Sequence, residues 1–357
     1  MSTEVFNGPR VTSFVPSVPP PNSPLDKVTT QSAPPHRDIL IDVVRGLAIM
    51  LVVLGHTNQG MLHRGWWGTS TIGVRLNEAI YAFHMPAFFF VSGVFLRAGV
   101  ERRTPKRYTI EKLRTMIYPY ILWTCIFAIA TIPFARYMVQ TTPSFKTFFY
   151  NLATGNFSWF LPTLFVALMI GMLTRNVPMT LLFPLSILVS LTLPHTDIVL
   201  EDRAFRELPF LIVGMWLGSF VIRMQAVSIA AAAISALLCA VIIIVVTSQP
   251  FGASKYLFVP LGLLGTLMLM LLARCLGRSR PSRAIAWVGA ASFGIFLLSS
   301  FPQGAGREIV LRLLHTTSPW LQLLIPTSLA VAIPAWLYHH RIRLHIAWLF
   351  VWPFASH

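Results

Sequence analysis

The sequence predicts an all-α membrane protein, a polytopic bundle of about ten transmembrane helices with both termini on the cytoplasmic side (N-in/C-in). Three observations predict it. The 357-residue chain is 55% hydrophobic and only 11% charged, with a mean hydropathy of +0.67. A soluble domain carries roughly 25% charged residues, so a chain this poor in charge must turn much of its surface to lipid. The apolar residues fall in runs of about the 20 residues that a spanning helix needs. The basic residues concentrate in alternate loops, which is the signature of membrane topology rather than of nucleic-acid binding, although the net charge is +16.

Residues 1–36 are proline-rich and lack an apolar run, so they predict a disordered cytoplasmic tail and no signal peptide. Ten apolar segments follow, at 39–59, 78–97, 113–133, 157–174, 179–194, 204–222, 227–247, 256–276, 284–301 and 320–338. With the N-terminus inside, eighteen Lys and Arg fall on the cytoplasmic side and nine on the other; Arg45 lies within the first span. The aromatic stretch 346–357 predicts a segment lying at the interface. Cys125, Cys239 and Cys275 sit inside apolar runs without metal-type or disulfide spacing and are read as packing residues.

The first span carries three ionisable residues that a bilayer penalises: Asp42, Arg45 and His56. Asp42 and Arg45 are three apart and can pair on one face. Eleven residues separate Arg45 from His56, about 20° past three full turns and about 16 Å along the axis. An arginine that never loses its charge suits phosphate, and a histidine suits proton transfer. A structural ion pair and an interfacial histidine account for the spacing equally well.

The second span runs through Tyr81-Ala82-Phe83-His84-Met85-Pro86, where the proline predicts a kink beside His84, with Glu78 near its start. The loop that follows is the most basic in the chain, with Arg97, Arg102, Arg103, Lys106, Arg107, Lys112 and Arg114. It serves topology, or docks a ligand bearing several phosphates. Trp159 opens the fourth span in an aromatic segment suited to the interface or to stacking on a sugar. The His339-His340 pair beside Arg341 reads as interfacial, and no metal site is apparent.

These motifs resemble the acyltransferase 3 family of membrane-bound O-acyltransferases. The likeness runs through Asp42, Arg45-Gly46-Leu47-Ala48 and His56, then Phe83-His84-Met85-Pro86-Ala87-Phe88-Phe89-Phe90-Val91-Ser92-Gly93. It continues through Lys112-Leu113-Arg114, Tyr118-Pro119-Tyr120, Trp123 and Trp159-Phe160-Leu161. The resemblance implies a transmembrane acyltransferase domain over 37–345 in a multi-pass protein of the bacterial inner membrane. It also implies acetyl-CoA as cytoplasmic donor, no metal, and an exported glycan, lipid-linked or polymeric, as acceptor; a one-domain member of this length fits the exopolysaccharide subgroup. By that resemblance Arg45, Lys112 and Arg114 would bind the donor and His56 would act in catalysis. Beside it His84 would orient His56, polarise the carbonyl or act through a covalent acyl intermediate, with Asp42, Glu78 and Trp159 in support. One departure stands out: Ser299 occupies the place where such proteins often have a histidine, after Ser292-Phe293-Gly294-Ile295-Phe296. On membrane physics alone, a multi-span transporter or flippase for a glycan or small anion is the rival reading.

Overall fold

The computed structural model describes residues 39–131, 145–155, 158–192, 199–223, 227–252, 254–277 and 279–353. The predicted tail lies outside them. Among the described residues all regular structure is helical: α1 Ile39–Leu62, α2 Ile72–Tyr81, α3 His84–Glu101, α4 Pro105–Lys112, a π-helical turn Leu113–Ile117, α5 Tyr118–Thr131, α6 Phe145–Thr154, α7 Phe160–Leu173, α8 Met179–Thr192, α9 Val199–Arg223, α10 Ile229–Thr247, α11 Lys255–Leu276, α12 Arg280–Ala290, α13 Ser292–Leu298, α14 Ser300–Arg312 and α15 Pro319–His339.

Among the described residues six helical segments are long and apolar enough to cross a membrane: α1, the α2–α3 pair, the run from α4 into α5, α10, α11 and α15. They fall on six of the ten expected spans. The expected ninth span is helical but bends by 58° between α12 and α13, next to Gly289 and Ser292, residue types that favour kinks. The expected fourth and fifth spans correspond to α7 and α8, which are apolar but have 14 residues each. The sixth corresponds to α9, whose first turns carry Glu201, Asp202, Arg203, Arg206 and Glu207. The third begins earlier than expected, so Lys106, Arg107 and Lys112 stand on α4 rather than in a loop.

The interior is close-packed around small residues. Gly46 of α1 faces the Ile285 carbonyl and Gly289 of α12 faces the Asp42 carbonyl so closely that a Cβ at either would collide with backbone. Gly93 and Gly214 bring α3 and α9 together in the same way, against the Leu211 and Phe90 carbonyls. Membrane helices associate through such backbone approach because lipid supplies no hydrophobic drive between them. This fixes α1 against α12 at the Arg45 end and α3 against α9 below His84.

The segment after α15 packs onto the third span. Trp123 Nε1 donates to the Leu349 carbonyl at 2.9 Å, and Tyr118 Oη to the Trp348 carbonyl at 3.0 Å. The Trp352 amide donates to the Arg114 carbonyl in the π turn at 3.3 Å, and Phe350 is wholly buried, edge-on to Tyr338. Each bond is worth about 1 kcal/mol net, so the stretch from Trp348 to Trp352 is anchored by protein contacts.

Candidate functional site

Helix α1 runs unbroken from Ile39 to Leu62, so the helical spacing read from sequence applies: Arg45 and His56 share a face about 16 Å apart. At the Arg45 end, Asp42 is buried and lies 3.8 Å from the Arg45 guanidinium, whose Cζ sits 5.3 Å from the Phe95 ring centroid of α3. Lys112 comes from α4, with Nζ 5.3 Å from the Tyr108 ring centroid, and feels the charges of Glu111, Arg103 and Arg45. Arg103 is held by Glu111 at 2.8 Å. Two cations thus lean on aromatic faces at one end of the bundle. Arg114 is half-buried in the π turn, and its described contact is the carbonyl bond to Trp352. Single-turn π segments inside α-helices are frequent at functional sites.

The other end is built around a broken helix. Pro86 has no N–H, and its ring crowds the carbonyl four residues earlier, that of Ala82. The helix accordingly breaks at Ala82–Phe83, where Phe83 has φ −145°, one turn ahead of the proline. The Ile80 carbonyl, which a continuous helix would pair with the amide of residue 84, accepts instead from the Phe83 amide at 3.3 Å and from His84 Nδ1 at 2.7 Å. A carbonyl only accepts, so Nδ1 carries the proton and Nε2 of this buried histidine keeps its lone pair.

Tyr81 stands between the two histidines. Its ring is edge-on to His84 at 4.7 Å and to His56 at 6.3 Å. Its hydroxyl donates to Gln59 Oε1 at 3.0 Å and lies 3.4 Å from His56 Nδ1. Having given its proton to Gln59, the hydroxyl accepts from His56 Nδ1–H, which leaves Nε2 of His56 as the basic nitrogen. The His56 side chain is exposed at this point of α1. Next to it, the Thr57 hydroxyl is pinned by Gln303 at 2.7 Å and Thr327 at 3.0 Å. Asn58 holds the following loop through the Gly73 carbonyl and Trp67 Nε1.

Arg203 of α9 completes the group. Its Cζ lies 5.0 Å from the Trp159 ring centroid, and its charge reaches both Tyr81 and His84. Trp159 is therefore brought into the neighbourhood of the histidines. Below them, Phe160 packs on Phe88, Phe89 and Phe296, forming an aromatic layer. Ser299 caps α13, between Phe296 and Gln303, on the helical stretch that meets α1 beside His56. Glu78 is not brought in: it is exposed on α2, and its carbonyl takes the Ala82 amide. His339 and His340 each bond a backbone carbonyl at 2.9 Å and stack on Trp287 and Trp336, respectively.

Sequence reasoning missed Tyr81, Gln59 and Arg203. Gln59 follows His56 by three residues and Tyr81 precedes His84 by three, a same-face spacing that was there to be used. Arg203 has no such signal, because it stands just before the apolar run 204–222 and reads as a loop charge, whereas α9 carries it as helix. If Tyr81 holds His56 in one tautomer, Tyr81→Phe lowers the chemical rate about tenfold with little change in either substrate's KM, the loss of one hydrogen bond. Steady-state kinetics in detergent checks this; an unchanged kcat would remove Tyr81 from the account.

A model of the acyltransferase 3 family, described as an acyltransferase domain, matches residues 38–339. Two curated proteins are similar over part of the chain. The nodulation protein NolL of Sinorhizobium fredii is 29% identical over 106 residues, 29% of this chain and 28% of that protein. The NolL of Mesorhizobium japonicum is 28% identical over 91 residues, 25% of this chain and 23% of that protein. The matched stretch thus spans about a quarter of each relative's length. No solved structure matches.

Proposed function

The chain belongs to the acyltransferase 3 family, and on that premise we propose that it moves an acetyl group from cytoplasmic acetyl-CoA to a sugar hydroxyl of an exported glycan. The observation that carries the reading is the single face of α1, which holds a cation at one end and a tautomer-fixed histidine at the other. The distance of about 16 Å suits one extended donor whose phosphates lie at Arg45, Lys112 and Arg114 and whose thioester lies at His56. The protein sits in the bacterial inner membrane with ten crossings and both ends inside, so that the Arg45 end faces the cytoplasm. α7, α8 and α9 then complete the count as short or charged helices shielded by their neighbours. The acceptor is an exopolysaccharide repeat unit or another surface glycan, lipid-linked or polymeric.

In this mechanism His56 Nε2 takes the proton of the sugar hydroxyl as its oxygen attacks the thioester carbonyl. The new C–O ester bond forms, the C–S bond breaks, and the proton passes from His56 to the departing thiolate. Base assistance of this kind supplies about 10²–10⁴ in rate. Tyr81 and Gln59 hold the ring in its tautomer. His84 and Arg203 present a lone pair and a positive charge on the same side, where Arg203 stabilises charge developing on the carbonyl oxygen. Asp42 keeps Arg45 in place, and the aromatic layer around Phe160 excludes water that would hydrolyse the thioester.

The test is transfer of isotope-labelled acetyl from acetyl-CoA to the host's own surface glycan by the purified, reconstituted protein. Label in alkali-sensitive ester linkage on the glycan supports the reading. Glycan movement across the vesicle without ester formation would replace it with transport.

A further inference from the structure

One cluster of charge takes no part in the chemistry above. At the carboxyl end of α1, one turn beyond His56, two arginines converge on Gly60. Arg307 of α14 places its guanidinium where a side chain at position 60 would stand: a Cβ there would lie 2.6 Å from Nη2. Arg64 donates from Nη1 to the Gly60 carbonyl at 3.4 Å. Both flank Trp66, with Cζ atoms 5.4 Å and 5.8 Å from its ring centroid. Gly65, with φ +66°, makes the turn that lets the chain double back so that Arg64 and Trp66 flank the same spot.

The charge of Arg64 acts unfavourably on Arg307, and that of Glu308 favourably. Among the described residues neither has a carboxylate within ion-pairing range, and Glu308, the acidic neighbour of Arg307, is bonded to Arg312 at 2.7 Å. Packing alone does not favour two like charges held together without a counter-ion. A bound oxyanion would satisfy both, because the planar forks of arginine match phosphate and carboxylate. Gly60 follows His56 by four residues, about 40° round the helix and about 6 Å along it. That is the distance from a charged substituent to a hydroxyl on the same or the adjoining sugar ring.

We propose that Arg64 and Arg307, around Trp66, form an anion subsite that receives a phosphate or carboxylate carried by the acceptor and thereby sets its hydroxyl at His56. The proposal rests on the acyl-transfer reading for its place in catalysis, but binding tests it without turnover. Three probes are measured on the detergent-purified full chain, without acyl donor: farnesyl pyrophosphate for a lipid-borne pyrophosphate, a glucuronate-containing oligosaccharide for an acidic sugar, and the neutral glucose oligosaccharide of equal length.

The expected result is that one charged probe binds at least tenfold more tightly than the neutral one, with an affinity that falls with salt. Arg307→Gln and Arg64→Gln each remove that advantage about tenfold, Arg307→Lys restores part of it, and acetyl-CoA binding is unchanged in all three. Whichever charged probe responds identifies the source of the anion. Charged probes that bind no better than the neutral one overturn the proposal on the wild-type protein alone, as does full retention in both glutamine variants. Absence of acetyl transfer by a protein that still discriminates the probes would sink the transferase reading and leave the subsite standing.

Discussion

His56→Ala is expected to lower acetyl transfer by at least about 10³ while leaving donor affinity within about twofold of wild type. The loss combines the proton-transfer contribution of about 10²–10⁴ with the loss of the group that meets Tyr81. The fold has little reason to suffer, because His56 is exposed and the interhelical bonds of this stretch belong to its neighbours Thr57 and Asn58. Single-turnover transfer of labelled acetyl, with size-exclusion profile and melting temperature as controls, checks it. Transfer within tenfold of wild type would remove His56 as the base.

The second large effect is expected at the other end of α1. Arg45→Ala should weaken acetyl-CoA binding about 10- to 100-fold, the cost of one charge-assisted contact to phosphate. The maximal rate at saturating donor should fall much less, since the residue is about 16 Å from the reacting atoms. Arg45→Lys should recover part of the affinity, because it keeps the charge and loses the fork. The variant also leaves Asp42 buried without its cation, so Asp42→Asn on the Arg45→Ala background separates lost donor contact from a stranded carboxylate. A KM for donor unchanged in all three variants would place the phosphates elsewhere.

Which parts of this were readable in the sequence follows from where the information lies. Segments whose apolar run is long and continuous, such as Ile229–Thr247 and Lys255–Leu276, announce themselves because hydrophobic length is a local property. The relation of Arg45 to His56 was readable for the same reason: both belong to one helix, and helical geometry is fixed. The kink was readable in kind but not in place. Pro86 acts on the carbonyl a turn earlier, which moves the break to Ala82–Phe83 and frees Ile80 to orient His84.

What depended on contact between distant elements was hidden. Arg203 joins Trp159, Tyr81 and His84 because α9 packs alongside α3 through Gly93 and Gly214, and no local pattern encodes that register. Charge counting worked against it, since an arginine outside the apolar core of a span is scored as loop. The same applies to Arg64 and Arg307, which read as two unrelated loop cations and meet over Gly60 only when α14 lies beside α1. The π turn at Leu113–Ile117 and its partner Trp352 likewise come from opposite parts of the chain.

The division of labour along α1 is tested most directly by calorimetric titration of acetyl-CoA into purified wild-type, Arg45→Ala and His56→Ala proteins. The account predicts saturable binding to the wild type, binding weakened at least tenfold in Arg45→Ala, and binding retained in His56→Ala. A folded wild-type protein that binds no acetyl-CoA, or one whose binding depends on His56 and not on Arg45, would contradict it.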